Sequence, residues 1–172
     1  IKHAVITSVD RDDLPDGGAR VWVETIKEIR KQNPNTTIES LIPDFKGRKQ
    51  DIQQIINVAT EVVSHNMETV RRLTKKVRIQ AKYDRSLQTL SYLNKANVKT
   101  KSGIMLGLGE SKEEVIETMK DLREVGVSIM TLGQYLQPTK KHLKVMEFIS
   151  PKQFDTYKEI ALSYGFKHVE SG

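Results

Sequence analysis

Residues 101–132, KSGIMLGLGESKEEVIETMKDLREVGVSIMTL, contain a complete strand–helix–strand pattern and decide the fold class. The run Lys101–Leu106 predicts a buried strand, because it is short, becomes apolar and ends at a glycine. Ser111 and Glu114 form the capping-box pattern that begins a helix, since each side chain can accept an otherwise unpaired backbone N–H. The glycine before the next apolar run, Val127–Leu132, suits a left-handed helix end, and that run predicts another strand.

The same alternation extends along the whole chain. Strands are predicted over Ala4–Val9, Thr36–Ile42 and Glu61–Ser64, with another beginning after Phe166, and helices over Gly17–Gln32, Lys49–Val58, Arg85–Asn97 and Ser150–Gly165. Strands that are apolar on both faces and alternate with helices indicate an α/β fold with a parallel sheet. Both a (β/α) barrel segment and an open doubly wound sheet fit this pattern. Without an internal repeat or linker, residues 1–172 are expected to form one domain.

Composition narrows the possible functions. The chain has 28 Lys and Arg, 22 Asp and Glu, a net charge of +6 and no cysteine. The absence of cysteine removes disulfides, cysteine nucleophiles and any iron–sulfur cluster held by this chain alone. No apolar run approaches the length of a membrane span. The basic charge is spread out, which indicates either a solvated surface or attraction to an acidic partner, and no nucleic-acid-binding motif is present.

Polar loops follow all five predicted strands. In parallel α/β folds the loops at the carboxyl ends of the strands carry the function. The loops begin with Asp10-Arg11-Asp12-Asp13, Asp44, His65-Asn66-Met67-Glu68, Gly107-Leu108-Gly109-Glu110 and Gln134-Tyr135-Leu136-Gln137-Pro138. We therefore expect an active face at this edge of the sheet.

The first and third of these loops each have more than one interpretation. Asp10 lies at a strand end and is the best functional candidate in its acidic cluster, whereas Asp13 and Asp16 equally fit the start of a helix. His65, Asn66 and Glu68 could bind a metal, bind the hydroxyls of a ribose, or cap the next helix. A metal-dependent lyase or hydrolase would use Asp10, Asp44, His65 and Glu68.

The fourth loop resembles a dinucleotide fingerprint but lacks its third glycine, where Lys112 stands. Gly107 and Gly109 would allow a ligand to approach the backbone closely, while Glu110 would repel a pyrophosphate. A cationic adenosine without phosphate, such as S-adenosylmethionine, fits this loop better than a nicotinamide dinucleotide. A plain strand-to-helix turn is the other interpretation.

Seven motifs in order along the chain closely resemble lipoyl synthases. They are TSVDRDDL at 7–14, DGGA at 16–19, ESLIPDFKG at 39–47, HNME at 65–68, TKSG at 100–103, GLGE at 107–110 and TLGQYLQP at 131–138. The resemblance implies a partial (β/α) barrel of the radical S-adenosylmethionine type. It implies S-adenosylmethionine contacts at Asn66, Glu68 and the loop from Gly107 through Gly109 to Glu110, with Tyr135 and Gln137 near the adenosine. It places Asp10 and Arg11 toward the barrel interior, where they would touch cofactor or substrate.

The resemblance also implies a reaction and partners. Lipoyl synthases use one 4Fe–4S cluster to cleave S-adenosylmethionine and sacrifice a second to insert sulfur at C6 and C8 of an octanoyl group. That group is carried by a lipoyl carrier domain, the H protein or an E2 subunit of a 2-oxoacid dehydrogenase. Electrons come from flavodoxin or ferredoxin, and the expected compartment is the cytoplasm, or the mitochondrion in a eukaryote.

This sequence departs from the family pattern at both ends. The family has two cysteine triplets upstream of the Thr7 motif and a later Arg-Ser-Ser-Tyr motif, and none of these is present. We therefore expect a fragment that binds no iron and does not turn over by itself, with an unpaired sheet edge beside Ala4–Val9. A non-catalytic module that docks an acidic carrier domain is a third possible function.

Overall fold

A computed structural model describes all 172 residues, and its centre is a six-stranded parallel sheet. The strands are β1 His3–Thr7, β2 Thr37–Leu41, β3 Val62–Ser64, β4 Thr100–Leu106, β5 Ile129–Gln134 and β6 His168–Ser171. The helices are α1 Ala19–Gln32, α2 Lys49–Asn57, α3 Thr74–Val77, α4 Tyr83–Lys95, α5 Lys112–Glu124 and α6 Pro151–Ser163, with 3₁₀ turns at Phe45–Gly47 and Arg71–Leu73.

The order of the strands distinguishes the two architectures that the sequence allows. The strands lie in the order β1-β2-β3-β4-β5-β6, each parallel to the next. Parallel crossovers are right-handed, so an order that never reverses keeps the connecting helices on the same face. A doubly wound sheet would reverse direction. The fold is therefore the predicted partial (β/α) barrel, with parallel strands inside and helices outside.

The outer face of the sheet forms the apolar core. One cluster joins β4, β5 and β6 to the later helices through Ile104, Leu106, Met130, Leu132, Val169, Met119, Leu122 and Phe154. A second joins the first helices to the sheet through Trp22, Ile26, Ile52, Ile55 and Val63. Because side chains alternate along a strand, the residues between these core positions face the inside of the barrel.

The inside of the barrel is polar near the middle of the sheet. The Lys101 ammonium on β4 lies 2.9 Å from the Glu39 carboxylate on β2, and both side chains are largely buried. The Ser64 hydroxyl on β3 donates to the same carboxylate at 2.9 Å. The Glu39 carboxylate, with Lys101 and Ser64, thus links three neighbouring strands beneath the carboxyl edge.

Most element boundaries differ from the predicted ones by one or two residues, and two of these differences have identifiable reasons. Helix α1 begins at Ala19 rather than Gly17, because Gly17 and Gly18 both have left-handed backbones, with φ of 60° and 86°. Strand β5 begins at Ile129 rather than Val127, because the Val127 N–H donates to the Leu122 carbonyl and so belongs to the end of α5.

None of the helices combines the length and apolar character that crossing a membrane requires.

Candidate active site

The carboxyl edge of the sheet brings several predicted site residues around one recess. Asp10, Asn66 and Glu68 line a recess of about 140 Å³, together with His65 and Arg78. Asp10 also lines a larger neighbouring cleft of about 670 Å³, which Arg11 shares. The loops after β1 and β3 therefore meet at the predicted edge.

The backbone of residues 66–68 hydrogen-bonds to β4 as a short parallel strand would. The Glu68 N–H donates to the Gly103 carbonyl at 3.0 Å, and the Met105 N–H donates to the Glu68 carbonyl at 2.9 Å. Met67 is buried in the core, while Glu68 has a left-handed backbone with φ of 66°. The Asn66 amide and the Glu68 carboxylate carry no hydrogen bond within the chain. Both side chains are therefore held at the recess and free to bind a ligand.

Gly103 lies behind this segment and leaves room for it. A Cβ at this position would lie 2.3 Å from the Thr131 Oγ1 and 3.3 Å from the Asn66 Oδ1. Any larger residue would clash chiefly with Thr131 on β5 and would press less on Asn66. The glycine of the TKSG motif thus leaves room for both side chains.

The Gly107–Glu110 loop is closed by its own carboxylate. Glu110 accepts hydrogen bonds from the N–H groups of Gly107 at 2.5 Å and Leu108 at 2.9 Å. Gly107 and Gly109 each have φ of 98°, and a Cβ on Gly107 would lie 2.3 Å from the Glu147 carbonyl oxygen. Two backbone donors that could bind a phosphate are therefore occupied by an anion of the chain itself. This geometry agrees with a loop that disfavours phosphate.

Tyr135 and Gln137 follow β5, and both use their side-chain donors inside their own connection. The Tyr135 hydroxyl donates to the Leu143 carbonyl at 2.9 Å, and its ring is buried. The Gln137 amide donates to the His142 carbonyl at 2.8 Å. Their predicted contact with an adenosine stays a prediction, since the Tyr135 hydroxyl proton and one N–H of Gln137 are used within the connection.

The acidic cluster after β1 divides into three roles. Arg11 holds Asp13 through two hydrogen bonds of 2.8 and 2.6 Å, which lower the pKa of the Asp13 carboxyl. Asp16 accepts from the N–H groups of Gly18 and Arg20, so it caps α1, and these bonds lower its pKa. Asp10 has no such partner and remains exposed at the recess.

The four residues of the alternative metal site do not form one. Both His65 ring nitrogens are engaged, at 2.9 Å from the Ile42 carbonyl and 2.9 Å from the Ser86 hydroxyl. The ring is buried, and burial lowers the pKa of His65. Asp44 accepts from Arg85 at 2.6 Å and from the Lys46 N–H at 2.8 Å. The structure contains no cluster of three metal-binding side chains, and the histidine is a structural residue.

Two residues at this edge were missed by the sequence reasoning. Arg78 lines both recesses, donates to the Asn66 carbonyl at 3.1 Å and pairs with no carboxylate of this chain. Gln134 donates to the Glu147 carbonyl at 3.2 Å and accepts from the Ile149 N–H at 2.8 Å. Arg78 follows a helix too short to show a period. Gln134 lies in the TLGQYLQP motif, whose spacing does not indicate these bonds.

Comparison with known proteins identifies the family. Residues 1–122 match the model of the Radical SAM superfamily. The lipoyl synthase of Christiangramia forsetii is 66% identical over 99% of this chain and 59% of its own length. The mitochondrial lipoyl synthase of Nematostella vectensis is 64% identical over 100% of this chain and 60% of its own length. These matches confirm the resemblance to lipoyl synthases.

The fold comparison agrees with the family match. The crystal structure of HydG, a maturase of the FeFe-hydrogenase, superimposes with a TM-score of 0.72 over 98% of this chain and 45% of that one, at 14% identity. That likeness concerns the fold alone. The chain spans about three-fifths of the length of the curated relatives it matches. With a matching family model over residues 1–122 and a singly wound parallel sheet, the chain belongs to the Radical SAM superfamily.

Proposed function

We propose that this chain is part of a lipoyl synthase that inserts two sulfur atoms at C6 and C8 of a protein-bound octanoyl group. The support is the 66% identity to a curated lipoyl synthase along 99% of the chain. The recess lined by Asp10, Asn66 and Glu68 is compatible with that function. The substrate would be an octanoylated lipoyl carrier domain (H protein or E2 subunit). The electrons for the cluster would come from flavodoxin or ferredoxin, in the cytoplasm or, in a eukaryote, the mitochondrion.

The residues of the recess fit S-adenosylmethionine, which supplies radical chemistry at carbon centres that carry no activating group. The free Glu68 carboxylate and Asn66 amide offer acceptors to a ribose or an ammonium group, and both are fixed in place through Met67 and Gly103. The Arg78 guanidinium provides a positive charge beside them for a carboxylate. Glu110 occupies the donors that a phosphate would need. Together these groups suit an amino-acid nucleoside without phosphate.

The residues of this chain do not fit an iron–sulfur cluster. Cluster irons are held by thiolates, and the sequence has no cysteine. We propose that the ligands of both 4Fe–4S clusters belong to the part of the lipoyl synthase length that this chain does not span. The role of these 172 residues is then to bind and orient the nucleoside and to form the wall of the barrel.

Calorimetric titration of this chain with S-adenosylmethionine tests the nucleoside site. We expect binding that Glu68→Gln weakens about tenfold, since a hydrogen bond to a charged group contributes about 1.5 kcal/mol. Glu117→Gln, an exposed change on the outer face of α5, is the control and should bind normally. ATP should not bind. Equal binding of ATP and S-adenosylmethionine, or an unaffected Glu68 variant, would refute the assignment of the site.

The reaction itself is tested with the full-length protein that contains this chain, reconstituted with iron and sulfide without oxygen. Incubation with S-adenosylmethionine, a reductant and an octanoylated carrier domain should yield 5′-deoxyadenosine and a lipoylated carrier, detected by mass spectrometry. Formation of 5′-deoxyadenosine with no sulfur in the carrier would leave the family assignment intact and reject the lipoyl synthase function.

A further inference from the structure

The connection between β5 and α6 exposes an unusual amount of apolar surface. Four of the eleven large apolar side chains that the molecule exposes lie within residues 136–148, namely Leu136, Leu143, Met146 and Phe148. Met146 and Phe148 are the most open of these, at 70% and 71%. Clustered exposed apolar side chains are typical of surfaces that bind another molecule.

This connection has no regular secondary structure, yet its backbone is held in place. Gln134 bonds to both Glu147 and Ile149, and the Tyr135 hydroxyl binds the Leu143 carbonyl. Val145 and Ile149 pack inward against the larger apolar cluster. These contacts hold the connection in place, and none of them involves the exposed side chains of Met146 and Phe148. A surface that is already ordered loses little entropy when it binds.

The same connection is basic. Lys140, Lys141 and Lys144 are exposed and form no salt bridge within the chain, and Glu147 is the one acidic residue among positions 136–148. We name the exposed Leu136, Leu143, Met146 and Phe148, with these three lysines, the β5–α6 platform. Exposed apolar side chains and unpaired positive charge on the same connection suit a partner whose surface is acidic.

The platform adjoins the candidate nucleoside loop. The Met146 N–H donates to the Gly107 carbonyl at 2.8 Å, and the Met146 side chain lies 3.6 Å from the position that a Cβ on Gly109 would take. A domain seated on the platform would thus stand at the rim of the barrel. From there, the partner would need a flexible arm to bring its substrate to the recess.

We infer that the β5–α6 platform docks an acidic protein domain that presents the substrate, an inference that rests on the proposed function. The exposed apolar side chains are mostly aliphatic, with Phe148 the single aromatic among them. Sequence-tolerant nucleic-acid binding relies on several stacking rings, so a protein surface is favoured over a nucleic acid.

The test is binding of a purified octanoylated carrier domain to this chain, measured by fluorescence polarisation at low and at moderate salt. The variant K140E/K141E/K144E should weaken binding about tenfold at low salt, and less when salt is raised. The control K95E/K99E/K167E changes the net charge equally, but its three exposed lysines precede β4 and β6 at the opposite edge. This control should bind nearly as the unmodified chain does.

A second pair of variants tests the apolar part of the platform. M146S/F148S should weaken binding about tenfold or more, because exposed apolar anchors become buried in the complex. Leu162→Ser, an exposed change on α6, should not. Circular dichroism and the thermal transition should show that every variant is folded. Sedimentation velocity should show the same self-association for all of them.

Several outcomes would overturn the inference. They are absence of carrier binding, equal weakening by both lysine triples, platform variants that change only self-association, and a platform that binds single-stranded oligonucleotide but not the carrier. Titration of the same variants with S-adenosylmethionine separates the two proposals. If S-adenosylmethionine binds normally and the platform variants do not change the affinity for the carrier, docking at the platform is rejected and the nucleoside site is kept. If S-adenosylmethionine does not bind, the proposed nucleoside site is rejected, whatever the affinity for the carrier.

Discussion

Glu110 is the residue on which the interpretation of the candidate site depends most. Its carboxylate is half-buried and accepts two backbone hydrogen bonds from its own loop. It can therefore exclude an anion in two ways, by its charge and by occupying the donors. A glutamate without hydrogen bonds to the loop would repel an anion by its charge but would leave the backbone donors unoccupied.

Glu110→Ala should lower the free energy of unfolding by about 1–2 kcal/mol, because the N–H groups of Gly107 and Leu108 lose their partner. It should also let the loop bind inorganic phosphate, which the unmodified chain should not. Urea denaturation and phosphate titration measure the two effects. Glu117→Ala on the outer face of α5 is the control. A Glu110 variant as stable as the control would show that the loop does not depend on this carboxylate.

His65 gives the molecule a characteristic dependence of stability on pH. Burial lowers the pKa of its imidazole in the folded state, while in the unfolded chain it titrates near 6.5. Below about pH 6.5 the unfolded state takes up a proton that the folded state does not. Stability therefore falls as pH drops through this range, at up to about 1.4 kcal/mol per pH unit.

Replacing His65 with Gln should flatten this dependence between about pH 5 and 6.5, where the unfolded histidine becomes protonated. The variant will be less stable overall, since the hydrogen bonds to Ile42 and Ser86 are disturbed. The slope of the unfolding free energy against pH is the quantity to compare. His3→Gln, at an exposed position of β1, serves as the control. An unchanged slope in the His65 variant would contradict the assignment.

Among the elements, α5 has the most complete set of local signals. Ser111 accepts from the Glu114 N–H, and Glu114 accepts from the Ser111 N–H. Arg72 adds two hydrogen bonds to the Glu114 carboxylate, and these lower its pKa. This helix connects β4 to β5 directly behind the Gly107–Glu110 loop, so its start fixes the end of that loop.

Ser111→Ala should reduce the free energy of unfolding by about 1 kcal/mol through loss of the cap. The measurement is chemical denaturation of the two chains side by side. Ser163→Ala, at the last residue of α6, should change stability by less than half as much, since that hydroxyl donates to a carbonyl at a helix end. If both substitutions lower the free energy of unfolding equally, the Ser111 cap makes no particular contribution to stability.

The elements with strong local signals are those that the sequence predicts well. Helix α5 and the helix begun by Ser150-Pro151 start where their caps indicate. The short helix α3 and the 3₁₀ turn Phe45–Gly47 escape prediction, because elements of three or four residues show no hydrophobic period. In that turn Phe45 and Lys46 adopt left-handed backbones although neither is glycine. The local bond from the Lys46 N–H to Asp44 supports this conformation, but residue type alone does not indicate it.

The candidate site is predictable in its location and less so in its contacts. Strand ends indicate the edge, and motifs indicate Asn66, Glu68 and Glu110. Which side chains remain free depends on partners far away in the sequence. His65 is bound by Ser86, and Arg78 reaches the recess from a loop without pattern. Contacts of that kind follow from the packed fold, and spacing along the chain does not show them.

At the scale of the whole molecule, the sheet has two free edges. Strand β1 pairs only with β2, and Val5 in the middle of it is 58% exposed. An apolar recess of about 350 Å³ beside it is lined by Ile6, Val9, Val21 and Trp22. Unpaired strand edges of this kind promote association.

We expect this chain to associate as its concentration rises, and Val5→Lys to reduce that association, because a charge at an edge strand discourages pairing. Analytical ultracentrifugation over a concentration series measures it. Lys2→Glu, a charge change just before the strand, is a control that leaves the apolar edge in place. A chain that stays monomeric at high concentration, with slow amide exchange along β1, would contradict the expectation.

The uninterrupted strand order has a consequence for how the chain reaches this fold. Every strand after β1 pairs with the strand that precedes it in the sequence. Each new parallel pairing therefore closes a single crossover, which contains one α-helix in every case except β3 to β4, where α3 and α4 intervene. No strand has to wait for a distant one before it finds a partner. Assembly can therefore advance strand by strand as the polypeptide leaves the ribosome, with β4 and β5 giving the longest continuous ladder along the way.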